Sequence, residues 1–174
     1  ISCIEHVHSH HFVHGDIKPA NFLMGVGDHD HQVYIIDFGL AKQYRDPKTH
    51  LHIPYKENCP PTGTAPYVSI NNHKGVEQSR CDDLESLAYI LVYFLHGSLP
   101  WYGVEPAVNK QRRNAILRRK QSSHLTCLCS ACPPEFGMFL NYAHTLAFDE
   151  KPDYGYLRKL FHELLVREGH QYGH

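Results

Sequence analysis

Four polar residues near the start of the chain bring together two carboxylates, an ammonium and an amide. The run His14-Gly15-Asp16-Ile17-Lys18-Pro19-Ala20-Asn21 is followed, sixteen residues after Asn21, by Asp37-Phe38-Gly39. Moving a phosphoryl group onto a hydroxyl needs a carboxylate to take the hydroxyl's proton, and Asp16 is placed for that. Lys18, two residues on, can set a positive charge against the moving group and stabilise charge that builds in the transition state. Asn21 and Asp37 offer hard oxygens, the ligand type that Mg²⁺ takes when it bridges and neutralises phosphates. Asp-Phe-Gly alone is an ordinary turn; the joint spacing carries the weight.

For Asn21 and Asp37 to meet, the chain between them must double back. Asn21-Phe22-Leu23-Met24 and Val33-Tyr34-Ile35-Ile36 read as short strands, and Gly25-Val26-Gly27-Asp28-His29-Asp30 is rich in turn formers, so a hairpin is predicted. Ile1, Ile4 and Val7 recur at helical spacing, so the chain opens inside a helix, with His11-Phe12-Val13 extended after it. Residues 45–74 hold Pro47, Pro54, Pro60, Pro61, Gly63 and Pro66 and read as a long irregular segment, which inside a compact domain is usually functional. From Asp82 to His96, the residues Leu84, Leu87, Ala88, Ile90, Leu91, Phe94 and Leu95 cover most of a helix surface. That is the pattern of a buried central helix, and Gly97 stops it. Further helices are predicted near 106–120, 134–146 and 154–167, the last capped by Asp153. The predicted fold class is mainly α with a small β hairpin.

Composition excludes several classes. At 174 residues the chain can bury one core, and a formal net charge of −1 gives no global field for nucleic acid. No apolar run reaches membrane-span length and nothing resembles a signal peptide, so neither a membrane nor a specific nucleic-acid partner is expected. The expected location is cytoplasmic or nuclear, with the six cysteines as free thiols. Cys127, Cys129 and Cys132 form C-x-C-x-x-C, but no fourth zinc ligand stands at standard spacing, so packed or surface thiols are expected. The histidine cluster around His6, His8, His10 and His11 reads as a solvated helix end. The first methionine is Met24, which suggests a fragment.

The loop at 14–21 with its downstream Asp-Phe-Gly resembles the protein kinase signature H-R-D-x-x-x-x-N…D-F-G. The likeness narrows to the casein kinase 1 family. It is carried by Asn21-Phe22-Leu23-Met24-Gly25, by Tyr34-Ile35-Ile36-Asp37-Phe38-Gly39-Leu40-Ala41-Lys42, and by Tyr44-Arg45-Asp46 with His52-Ile53-Pro54-Tyr55. Glu77-Gln78-Ser79-Arg80, Asp82-Asp83-Leu84-Glu85-Ser86-Leu87, Ser98-Leu99-Pro100-Trp101 and Lys151-Pro152-Asp153-Tyr154 belong to the same pattern, and Ser69-Ile70-Asn71 stands where most kinases have A-P-E.

The resemblance implies that residues 1–174 are the C-terminal lobe of a kinase domain, with a catalytic loop at 14–21 and an activation segment at 37–71. Such an enzyme transfers the γ-phosphoryl group of ATP, with Mg²⁺, to serine or threonine of acidic or primed protein substrates, as a monomer. Asp16, Lys18, Asn21 and Thr64 would be catalytic, with Thr64 bonding near Asp16 and Lys18. Lys18, Asn21, Leu23, Ile36 and Asp37 would contact ATP, Leu23 and Ile36 forming the lower face of the adenine site; Asn21 and Asp37 would hold metal. Asp83 would accept hydrogen bonds from the catalytic-loop backbone, which His14 also supports.

The chain departs from that pattern in places. The upstream motifs, a G-x-G-x-x-G loop and a V-A-I-K lysine, are not in these residues; Gly25-Val26-Gly27 lies after the catalytic loop and serves a turn. The 174 residues taken alone are therefore expected to be inactive and to bind ATP weakly. Gly15 replaces the arginine of H-R-D and is expected to loosen the loop. Pro66 replaces the family's T-G-T-A-R-Y arginine, which would bind a substrate anion together with Arg112, near Gly103. Ala88 replaces a helix glycine, which favours the helix. A pseudokinase or scaffold is the alternative. The basic stretch at 110–120 reads as a solvated helix face, with nuclear import or acidic substrates as its functional reading.

Overall fold

Asn21 and Asp37 are brought together by a hairpin that leans on a buried helix. The computed structural model describes residues 1–104, 109–123, 128 and 132–169. Helix α1 spans Ser2–Ser9 and turns at His11, whose φ is 71°, into strand β1, Phe12–Val13. Strands β2, Phe22–Met24, and β3, Val33–Ile35, pair antiparallel with Phe22 opposite Ile35. Because strand side chains alternate, Phe22 and Ile35 pack toward the core while Leu23 and Tyr34 face away. A second ribbon, not predicted, joins β1 to β4, Lys42–Gln43.

Helices α2, Ile70–His73, α3, Arg80–His96, α4, Asn109–Ser122, α5, Pro134–Thr145, and α6, Tyr154–Arg167, follow. The protein is about half helical with a small antiparallel β element, as the sequence predicts. The predicted start of α4 at Pro106 lies outside the described residues, as do Cys127 and Cys129. Asp153 caps α6 by accepting from Tyr156 N–H at 2.8 Å.

The core forms where α3 meets α5 and α6: Leu84, Ile90, Phe139, Leu140 and Leu157 have no exposed surface. Each such side chain contributes about 1.5–3 kcal/mol on burial. Helix α3 starts in a capping box between Ser79 and Asp82 and ends at Gly97 with φ 73°. Its all-round burial holds through Ile90, but Phe94 and Leu95 are exposed, because no described element covers the last turn. The basic stretch is also not a uniform solvated face. Lys120 is buried, its ammonium over the rings of Tyr89 at 4.3 Å and Trp101 at 5.1 Å, and burial lowers its pKa to about 7. Arg119 donates to the Pro100 carbonyl yet stays exposed, as do Lys110, Arg112 and Arg118. Among the described residues no helix is long and apolar enough to cross a membrane, and Cys3, Cys59 and Cys81 are free thiols.

Candidate active site

The 14–21 loop hangs from a carboxylate inside α3. Asp83, fully buried, accepts from the backbone N–H of His14 at 2.8 Å and of Gly15 at 3.0 Å, and lies 2.8 Å from His8 Nε2. Burial alone would raise its pKa; the hydrogen bonds from His8 and the two amides reverse that and hold it below the ordinary value. His8 is thus not part of a solvated cluster: it is buried between Asp83 and the Tyr154 hydroxyl, 2.6 Å from its Nδ1. Helical spacing turns it inward while His6 and His10 face out.

His14 is buried and uses both ring nitrogens. Asp16 N–H donates to Nδ1 at 3.2 Å, so the ring proton sits on Nε2, which donates to the Ile36 carbonyl at 2.9 Å. This ties the loop to the residue before Asp37. Gly15 does not loosen it. Its φ is 78°, and a Cβ there would lie 2.8 Å from the Leu40 carbonyl oxygen. Glycine is the residue this backbone accepts without strain. Gly15→Ala is expected to cost about 1–2 kcal/mol of stability, read as a lower thermal midpoint.

With its loop fixed, Asp16 is held at both oxygens. Oδ1 accepts from Thr64 N–H at 2.9 Å and from the Thr64 hydroxyl at 2.8 Å; Oδ2 receives Lys18 Nζ at 2.6 Å. Asp16 is buried, whereas the Lys18 side chain is 24% exposed and can reach past it. Asn21 is buried and donates from Nδ2 to the Asp16 carbonyl at 2.9 Å, which turns its Oδ1 away as a neutral hard oxygen. Ile36 N–H donates to the Asn21 carbonyl at 3.0 Å, so Asp37 follows directly beside it. Asp37 is exposed, with φ 65°, a strained conformation for a residue with a side chain. An amide oxygen and an exposed carboxylate on adjacent backbones form a donor set that suits Mg²⁺. Leu23 and Ile36 are 48% and 38% exposed on the outer side of the hairpin.

Sequence reasoning missed two groups here. Arg113 donates from Nη2 to the Gly63 carbonyl at 2.6 Å, steadying the turn that delivers Thr64. Nothing in the sequence separates it from its neighbour Arg112, which is exposed. Among the described residues neither Arg112 nor Gly103 bonds to the 14–21 loop. The Pro66 carbonyl accepts from Trp101 Nε1 at 2.8 Å. The second group is the acid pair Asp82 and Glu85, which bolts the end of the 37–71 segment to α3. Asp82 accepts from the Ser69 hydroxyl, and Glu85 accepts from Ile70 N–H at 2.8 Å.

His73 closes that segment and is buried, its Nε2 bonded to the Ala65 carbonyl at 3.1 Å and its Nδ1 without a partner. Burial, with Lys120 adding repulsion, lowers its pKa to about 3. The unfolded chain takes this proton near pH 6.5 and the folded one does not until about 3, so stability falls as pH drops through that window. The slope of unfolding free energy between pH 6.5 and 4 is expected to flatten in His73→Gln, as denaturant titrations at each pH would show.

A protein-family model described as the protein kinase domain matches residues 1–146 of the chain.

Proposed function

The chain belongs to the protein kinase family, and on that premise we propose that it is a serine/threonine kinase of the casein kinase 1 type acting on acidic protein substrates. One arrangement supports the reading most: Asp16, with Thr64 on one oxygen and Lys18 on the other. Thr64 stops the carboxylate rotating. Oδ2, shared with Lys18, is then the oxygen left to accept a proton from an incoming hydroxyl. Lys18 balances Asp16 in the resting state and is long enough to follow negative charge onto a transferring phosphoryl group. Asn21 Oδ1 and the Asp37 carboxylate would hold Mg²⁺, which when bound with ATP neutralises the phosphate charge. Leu23 and Ile36 would lie under the adenine. No described element faces them from the other side, which fits weak ATP binding by these 174 residues alone.

The finer family reading rests on the motif likeness: Ser69-Ile70-Asn71 in place of A-P-E, and the Ser69–Asp82 bond that anchors it. Arg112, exposed beyond Gly103, would meet acidic substrate groups, while Pro66 supplies no cation for a priming phosphate. The test is phosphoamino-acid analysis of casein labelled by the full-length gene product with MgATP. Label on serine and threonine is expected; label confined to tyrosine would sink the subtype.

A further inference from the structure

A small cleft lies between α1, the chain after β4 and the start of α6. It measures about 160 Å³, and its lining includes Arg45, Arg80 and Lys151. Such a volume is below the roughly 300–1,000 Å³ of pockets for drug-sized ligands, so it excludes a nucleotide and suits one compact group.

Its charge is unbalanced. Arg80 is 95% buried by the 5% of its surface left exposed, and it forms no ion pair among the described residues; nor do Arg45 and Lys151. Arg80 Nη2 donates to the Asp149 carbonyl at 2.6 Å and Nη1 reaches the Tyr44 hydroxyl at 3.4 Å, but its buried Nε has no partner. The Tyr44 ring carries both guanidiniums, Arg80 at 4.4 Å and Arg45 at 5.4 Å. Arg45 uses Nε on His11 Nδ1 at 2.8 Å, which leaves its two terminal nitrogens. Lys151 stands exposed at the rim. The one carboxylate in the lining, Glu5, is already paired with Arg158. A buried guanidinium with an unused donor is unfavourable unless an anion meets it. Planar guanidiniums recognise phosphate oxygens by paired hydrogen bonds, and an ammonium adds a point charge.

We propose that this cleft is a binding site for a single phosphate group, carried by a phosphorylated serine or threonine or present as the free ion. The proposal does not rest on the phosphoryl-transfer reading: among the described residues none of the cleft residues hydrogen-bonds to Asp16, Lys18, Asn21 or Asp37.

The test titrates sodium phosphate into the full chain by calorimetry at constant ionic strength. Saturable one-to-one binding is expected, weakened at least tenfold in the double variant Arg45→Gln/Lys151→Gln, whose positions are not in the core. A second double variant, Lys110→Gln/Arg118→Gln, removes the same charge from exposed positions on α4 and is expected to bind as the parent does. Equal affinity in the parent and Arg45→Gln/Lys151→Gln, or no saturable binding by the parent, would overturn the site. A peptide bearing one phosphoserine identifies the source. Binding tighter than inorganic phosphate, and lost in the unphosphorylated peptide, supports a phosphorylated segment; equal affinity supports the free ion.

Discussion

Asp83→Ala is expected to destabilise the protein by about 3–5 kcal/mol, the cost of breaking a buried charged pair from one side. Three donors converge on that carboxylate: the amides of His14 and Gly15 and the His8 ring. Alanine leaves all three without their acceptor at a residue 2% exposed, cut off from bulk water. Folded domains are stable by only about 5–15 kcal/mol, so the variant would unfold at far lower denaturant. Asp83→Asn is expected to recover part of the loss, since one oxygen remains while the amide nitrogen faces another donor. Urea unfolding of both variants checks this. A loss under about 1 kcal/mol for Asp83→Ala would mean that the amides find other partners.

The second large effect is on chemistry. Asp16→Ala should lower kcat by about 10²–10⁴-fold, the usual contribution of a positioned general base. The fold should tolerate the change better than the loss of Asp83. Asp16 accepts from Thr64 and Lys18 side chains that lie partly in solvent, so their donors can turn to water. Lys18→Met should act differently: its ammonium stabilises charge that appears late, so kcat falls by about 10²–10³-fold with little change in KM.

Much of the layout of the candidate site could be read from residue types and their spacing along the chain. The hairpin between Asn21 and Asp37 follows from two apolar runs around a turn, and the α6 cap follows from Asp153 before a periodic stretch. What could not be read depends on which way a side chain turns. His8 looks like its neighbours His6 and His10 until α1 is docked against α3. Arg113 and Arg112 differ only in their position around α4, yet one reaches Gly63 and the other faces solvent. Lys120 ends a basic run but its long stem lets it lie over Tyr89 and Trp101. The exposed last turn of α3 shows the converse: Phe94 and Leu95 extend an apolar pattern whose cover no periodicity can reveal. The β1–β4 ribbon is two residues per strand, too short to leave a repeat.

The central claim is that Asp16, oriented by Thr64 and Lys18, is the base for transfer of a phosphoryl group to protein hydroxyls. Its most direct test measures phosphate incorporation into casein by the full-length gene product and by its Asp16→Ala variant, side by side with MgATP and matched for folded protein. Incorporation by the parent, with the variant slower by about 10²–10⁴-fold, is the predicted result. A parent that labels casein no faster than Asp16→Ala would contradict it.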